Sequence, residues 1–248
     1  MRKERYMTNP TAAMIVIGDE ILSGRTRDAN MHHLAGVLTG HAIDLKEVRV
    51  ISDEPAAITS AVSVMSDAYT YVFTSGGIGP THDDITADCV AAAFDDHIDV
   101  RPDARKLLAD YYAETGRELN DARLRMARIP DSATLIENPV SIAPGFVLKN
   151  VHVMAGVPSV FKAMVQSVLP TLTGGAPLIS ETHRCMRGEG DIAAPLGQIA
   201  DEFPNLFIGS YPFQQDGVYG TNIVVRGTNP AEIKRAIEKI AHAEANLG

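Results

Sequence analysis

Apolar residues fall along the chain in two rhythms. Ala12 to Ile17 is an unbroken apolar run stopped by Gly18, the pattern of a strand buried on both faces. Leu45 to Ile51 alternates and predicts a second strand, and Thr70 to Thr74 predicts a third that runs into Ser75-Gly76-Gly77. Helical spacing fills the gaps. Asp28 is placed to cap a helix over Ala29 to Leu38, and Pro55 opens a helix with Ile58, Val62 and Met65 on one face. A further helix is expected from about Asp84 to Phe94. Strands alternating with helices predict an α/β fold: a mostly parallel, doubly wound sheet covered by helices on both faces.

The same reading continues downstream. Pro102 begins a helix that ends near Gly116, and a shorter one is expected over Asp121 to Ala127. Phe146 to Lys149 and Val151 to Ala155 read as two strands joined by a tight turn at Asn150, followed by a helix to Val168. Thr173-Gly174-Gly175-Ala176-Pro177 is the best linker candidate. Beyond it come strands at Ile179 to Met186, Leu206 to Tyr211 and Tyr219 to Arg226, with helices at Asp191 to Phe203 and Pro230 to Ala245. The expected organisation is a large domain over 11–172 and a small α+β domain over 178–248.

Composition narrows the class. Of 248 residues, 45% are hydrophobic and 21% charged, an ordinary globular mixture that excludes disordered and fibrous classes. Lys and Arg number 22 against 31 Asp and Glu, a net charge of −9. That balance predicts no nucleic-acid partner and no attraction to anionic membrane, both of which rest on basic patches. Cys89 and Cys185 form no paired motif, which points to a reducing compartment. The apolar run at Ala12 is too short for a signal sequence or a span, so a cytoplasmic protein is expected.

The candidate chemistry lies at strand ends. In Thr74-Ser75-Gly76-Gly77-Ile78-Gly79-Pro80-Thr81-His82-Asp83-Asp84 a strand enters a glycine turn and then a helix start. Such a turn lets backbone N–H groups approach a phosphate, and the helix dipole favours negative charge there. Carboxylates repel phosphates, so Asp83 and Asp84 imply a divalent cation between the two. The plainer reading is an acidic first helical turn, and Asp88 is read as solvated. The turn is neither a Walker A loop, lacking Gly-Lys-Ser/Thr, nor a dinucleotide fingerprint, lacking the third Gly. Gly18-Asp19-Glu20-Ile21-Leu22-Ser23-Gly24 follows the first strand and Asp53 the second, where Asp53 reads locally as a cap for the Pro55 helix. Three successive strand ends thus carry carboxylates, and in a doubly wound sheet such ends are neighbours. Pro144-Gly145 and Gly156-Val157-Pro158 are rigid turns that either line a pocket or only turn the chain. His32 and His33 are adjacent on a helix and diverge by about 100°, too far to clamp one metal.

The stretches Gly18 to Gly24, Thr74 to Thr86 and Ala143 to Phe146 resemble the MoaB/Mog molybdopterin-binding domain family, in the form found in the N-terminal half of CinA and in FAD synthase. The resemblance covers roughly residues 11 to 172, and Gly209-Ser210-Tyr211-Pro212 resembles the small domain that follows in CinA. It implies a three-layer α/β/α fold and a small phosphorylated ligand, molybdopterin or a nucleotide. It places catalytic aspartates at Asp53 and Asp84. It gives ligand contacts to Gly18, Glu20, Ser23, Thr74, Ser75, Gly76, Gly77, Gly79, Pro80, Thr81, Pro144, Gly145, Gly156 and Pro158, and metal contacts to Asp19, Asp83 and Asp84. The implied metal is Mg, Co or Mn. The implied chemistry is adenylyl transfer in molybdenum cofactor biosynthesis. The alternatives are metal-dependent hydrolysis of ADP-ribose or FAD-like pyrophosphates, and a non-catalytic binding module. Family members assemble, so a homo-oligomer is expected. The amidase domain of full CinA would lie beyond the end of this chain. Ala155 stands where the usual Pro-Gly-x-Pro turn begins with Pro.

Overall fold

The central strand forms because every residue from Ala12 to Ile17 has an apolar layer to face on each side of the sheet. The computed structural model describes residues 9–215 and 217–247, which divide into two units between Gly175 and Ala176. In order the first unit contains β1 (Thr11–Ile17), α1 (Asp19–Leu22), α2 (Asn30–Gly40), β2 (Asp44–Ile51), α3 (Pro55–Ala68), β3 (Tyr71–Ser75) and α4 (Thr86–Ala93). Then come β4 (Ile98–Val100), α5 (Pro102–Glu114), α6 (Asp121–Leu124), β5 (Arg128–Pro130), β6 (Thr134–Ile136), β7 (Gly145–Leu148), β8 (Val151–Met154) and α7 (Pro158–Val168).

The main sheet runs β2-β1-β3-β8-β7-β6. β2, β1, β3 and β8 are mutually parallel, while β7 pairs antiparallel with β8 and with β6. Alternate residues of β1 feed different cores. Ala13, Ile15 and Ile17 pack with Ile58, Val62 and Met65 of α3, Val90 of α4 and Leu108 of α5. Met14 and Val16 pack with Leu34 and Leu38 of α2 and with Phe161, Met164 and Val168 of α7. This is the three-layer α/β/α arrangement. Each large side chain removed from water in it contributes about 1.5–3 kcal/mol.

Some expectations change. The helix after the glycine turn begins at Thr86, not Asp84. Asp84 instead folds back on the turn, accepting the N–H and the hydroxyl of Thr81 at 2.8 and 2.6 Å. The polar stretch after β1 forms a single helical turn, α1. β4, β5 and β6 are three residues each, too short to show a period. Gly174 and Gly175 are held within the first unit: the Gly175 N–H donates to Ala42 O at 2.9 Å, and a Cβ on Gly174 would lie 2.0 Å from His41 O. Asp28 does cap α2, accepting the N–H groups of Asn30 and Met31 at 3.3 and 2.9 Å.

The second unit is β9 (Ile179–Cys185), α8 (Glu189–Glu202), β10 (Phe207–Gln215), β11 (Val218–Gly227) and α9 (Pro230–Ala245). Its antiparallel sheet runs β10-β11-β9, and both helices lie on one face. Ile192, Ile199, Ile233 and Ile240 close over Cys185, Ile223 and Val225. Asn229 caps α9 through the N–H groups of Ala231 and Glu232. His183 of β9 pairs with Glu244 of α9 at 2.6 Å. No helix among the described residues is long and apolar enough to cross a membrane.

Candidate functional site

Parallel pairing of β1, β2, β3 and β8 brings four loops to one edge of the sheet, the edge where open α/β sheets bind ligands. There they enclose a cleft of about 440 Å³. Its walls come from Gly18 and Glu20 after β1, Asp53 after β2, Gly76 to Gly79 with Asp83 and Asp84 after β3, and Gly156 and Pro158 after β8. Thr26 completes the rim.

Close approach of backbone explains the glycines. Gly76 has φ 111°, and a Cβ there would sit 2.2 Å from Ile17 O. Gly77 has φ 69°, and its Cβ would strike the Thr86 hydroxyl at 2.1 Å. A side chain at either position would force the turn out of the cleft. The Gly76 N–H is used, donating to Met154 O at 3.2 Å, and the Gly76 carbonyl accepts the Thr86 hydroxyl at 3.0 Å. Among the described residues no hydrogen bond occupies the N–H groups of Gly77, Ile78 and Gly79. Those three donors and the N-terminus of α7 form the positive side of the cleft.

The cleft is also acidic, and the Asp84 carboxylate lies against Gly79, 2.7 Å from where a Cβ would be. Among the described residues Glu20, Asp53, Asp83 and Asp84 line the cleft, and no Lys, Arg or His does. Asp53 does not cap α3. Its carboxylate accepts the Asp19 N–H at 2.9 Å and so ties the β1 and β2 loops together. Burial pushes the Asp53 carboxyl above its usual range, and the negative charges of Asp19, Glu20 and Asp83 push the same way. The carbonyl of Asp84 accepts from the Arg125 guanidinium at 3.2 Å, which fixes the far end of the turn.

Asn30 carried no signal in the sequence beyond its place after Asp28, and it stitches the cleft from behind. Its amide nitrogen donates to Ser75 Oγ and to Gly156 O, both at 2.8 Å, joining the ends of β3 and β8. Thr86 is the second such residue, holding the glycine turn through its hydroxyl. Thr86 closes the glycine-rich stretch that carries the family resemblance, whereas Asn30 belongs to no recognised motif, because it acts on partners fixed only by the fold.

Several anticipated contacts lie elsewhere. Thr74 and Ser75 are buried, with the Ser75 hydroxyl spent on Asn30, so their side chains are turned into the protein. Ser23 donates to Glu20 O and finishes α1. Pro80 and Thr81 are exposed on the outer turn, where Thr81 holds Asp84. The Asp19 side chain is exposed, and its backbone is what is engaged, the N–H donating to Asp53 and the carbonyl accepting from the Ser23 N–H. Pro144 lines a different hollow of about 220 Å³ with Leu107 and Ile142. Gly145 is a packing glycine, since a Cβ there would lie 2.3 Å from Val153 O. Gly145 opens β7, which runs antiparallel to β8 and so begins at the same edge of the sheet as the cleft, although neither Pro144 nor Gly145 lines it. A larger hollow of about 540 Å³, bounded by Tyr71 and His152, lies at the other ends of β3 and β8.

Among the described residues no group of three or more His, Cys, Asp or Glu side chains is arranged to hold a metal by itself. Asp53, Asp83 and Asp84 are the lining carboxylates that could contribute oxygens to a cation, the rest of whose shell would have to come from a ligand or water.

Comparison with known proteins gives two family matches. Residues 13–174 match the probable molybdopterin binding domain, and residues 177–245 match the FAD synthase middle domain. A probable FAD synthase of Caenorhabditis elegans is 33% identical over 261 residues, covering 95% of this chain and 50% of its own length. The chain therefore spans about half of that relative. A protein of Aeropyrum pernix is 30% identical over 256 residues, covering 97% of this chain and 96% of its own. The crystal structure of the protein CinA, of unknown function, from Thermoplasma acidophilum aligns with a TM-score of 0.60 at 32% identity, over 65% of this chain and 97% of that one.

Proposed function

We propose a function for a chain that belongs to the molybdopterin binding domain family: it binds a phosphorylated pterin or a nucleotide in the cleft at Gly76 to Gly79. One observation carries the reading. Among the described residues, the N–H groups of Gly77, Ile78 and Gly79 carry no hydrogen bond, and the cleft they line holds four carboxylates and no cationic side chain. A phosphate can enter such a site on the N–H groups, but its remaining charge needs a cation that the carboxylates also want.

Gly77, Ile78 and Gly79 hold the terminal phosphate, and the N-terminus of α7 adds to the favourable field. Asp53, Asp83 and Asp84 are the side chains that would hold Mg²⁺ or another divalent ion together with the ligand. When bound, that ion supplies neutralisation of charge on phosphate oxygens. Asp84 is positioned by Thr81, and Asp53 by the Asp19 N–H, so both carboxylates are oriented before a ligand arrives. The favoured reaction is adenylyl transfer: a pterin phosphate oxygen attacks the α-phosphorus of ATP and pyrophosphate leaves. A second reading rests on the FAD synthase middle domain match beyond residue 176. There a dinucleotide such as ADP-ribose or FAD occupies the cleft and water attacks its anhydride, giving two monophosphates.

The test is incubation with ATP plus molybdopterin, with ADP-ribose and with FAD, each with magnesium, manganese or cobalt, followed by mass analysis. Adenylated pterin supports transfer, and AMP from ADP-ribose or FAD supports hydrolysis. Calorimetric binding without product makes the chain a binding module. No binding of any of these ligands with any cation would overturn the assignment of the cleft.

A further inference from the structure

Among the described residues the helices of the second unit cover only one side of its sheet, and the other side has a chemistry unlike the rest of the chain. α8 and α9 both pack on the face that carries Ile223 and Val225. Cross-strand pairing puts Phe207, Tyr211 and Phe213 of β10 on the other face, with Arg226 opposite Phe207 and Asn222 opposite Tyr211. Arg184 of β9 lies beyond Asn222 on the same face. Phe207 and Tyr211 are 56% and 53% exposed.

The rings lie along the sheet because glycines make room for them. A Cβ on Gly209 would meet the Tyr211 ring at 3.2 Å, and one on Gly220 would meet the Phe213 ring at 2.8 Å. Bare backbone under each ring lets its π face lie parallel to the sheet. The Arg184 guanidinium sits 4.3 Å from the centroid of the Phe213 ring. Among the described residues of the three strands no Asp or Glu shares this face, since Glu181 pairs with Val225 and points to the helix side. On a chain of net charge −9 the face is locally cationic and aromatic.

We infer that this open face binds single-stranded RNA. Exposed aromatics on a sheet stack unpaired bases, and arginines beside them meet phosphates and add cation–π contacts. A duplex hides its bases from such a platform. The six-residue step from Phe207 to Phe213 spans about 20 Å of strand, longer than one nucleotide and suited to several. Thr182 and Asn222 lie among the arginines and rings, where a 2′-hydroxyl can be met by a hydroxyl or an amide. A second copy packed face to face would set Arg184 and Arg226 against their own kind, which disfavours that occupant. The net acidity that speaks against nucleic acid for the whole chain does not describe this surface.

The experiment is fluorescence anisotropy of a labelled, mixed-sequence 12-nucleotide single-stranded RNA with the full chain, at about 50 and about 200 mM salt. Saturable binding that weakens with salt is expected. Arg184→Gln with Arg226→Gln should weaken it at least tenfold and flatten the slope of log affinity against log salt by about 1.4. Tyr211→Ala should weaken it at least fivefold without changing that slope. Melting temperatures should stay unchanged, because all three side chains are exposed. Absence of binding at low salt, or equal binding by the variants, overturns the inference. Equal affinity for DNA of the same sequence overturns the choice of RNA. Dissociation of an oligomer by these substitutions, seen by sedimentation without RNA binding, assigns the face to a second copy instead.

Discussion

Asn30→Ala is the perturbation that best separates a built cleft from a chance meeting of loops. The Asn30 amide nitrogen makes two hydrogen bonds of 2.8 Å, to Ser75 Oγ and Gly156 O. Each is worth about 1 kcal/mol net, and buried partners left unpaired cost about 1–3 kcal/mol. One effect offsets this: the Asn30 Oδ1 is buried without a partner among the described residues, and Ala removes that penalty. The balance is a loss of about 2 kcal/mol. For a chain of this size that lowers the melting temperature by roughly 4–8 °C. Asn30→Asp should be worse than Ala, because a carboxylate oxygen would face the Gly156 carbonyl. Freed from Asn30, the Gly156 loop no longer stands fixed against Gly76, so affinity for nucleotide with magnesium should fall about tenfold by calorimetry. A double-mutant cycle with Ser75→Ala should return a coupling of about 0.5–1.5 kcal/mol. A melting shift under about 2 °C together with unchanged affinity would refute the claim that Asn30 builds the site.

Three further outcomes follow from the same geometry. Asp84→Asn keeps an oxygen for Thr81, so the melting temperature should move by no more than about 0.5 kcal/mol equivalent while cation-dependent turnover is lost; retained turnover would reject the role of Asp84. Asp53 has a raised carboxyl, which costs folded stability at neutral pH and less as pH falls through that raised value, so Asp53→Asn should be slightly stabilising at pH 7 and lose this advantage in acid, as read by melting curves. His152 stacks on Phe73 at 4.9 Å, and burial lowers its pKa to about 4 from 6.5. The unfolded chain then binds the extra proton first, so stability should fall by about 3 kcal/mol between pH 6.5 and 4. His152→Phe should flatten that slope in urea titrations, and an unaltered slope would count against His152 as its source.

Much of the fold is legible in local pattern. The apolar run of β1, the alternation of β2 and the spacing of Ile58, Val62 and Met65 each record which face of an element is buried, and burial is what periodicity measures. The glycine turn is legible for a related reason: φ values of 111° and 69° at Gly76 and Gly77 exclude side chains, whatever else the chain does. The short strands β4, β5 and β6 left no such record, since three residues cannot display a period.

What the residues by themselves determined is therefore the sequence of buried faces, the parallel alternation of strands and helices, and the place where backbone must lie bare. Tertiary structure alone decided which polar groups meet. Asp53 beside Pro55 reads as a cap, yet its carboxylate is drawn to the Asp19 N–H because the parallel pairing of β1 with β2 puts that donor nearer. Pro144 and Gly145 resemble a ligand loop and do start β7 at the cleft edge, yet Gly145 is spent on close packing against Val153 O and Pro144 lines a separate hollow. Asn30 finds partners 45 and 126 residues away. A hydrogen bond across such separations depends on packed geometry that no window of sequence contains.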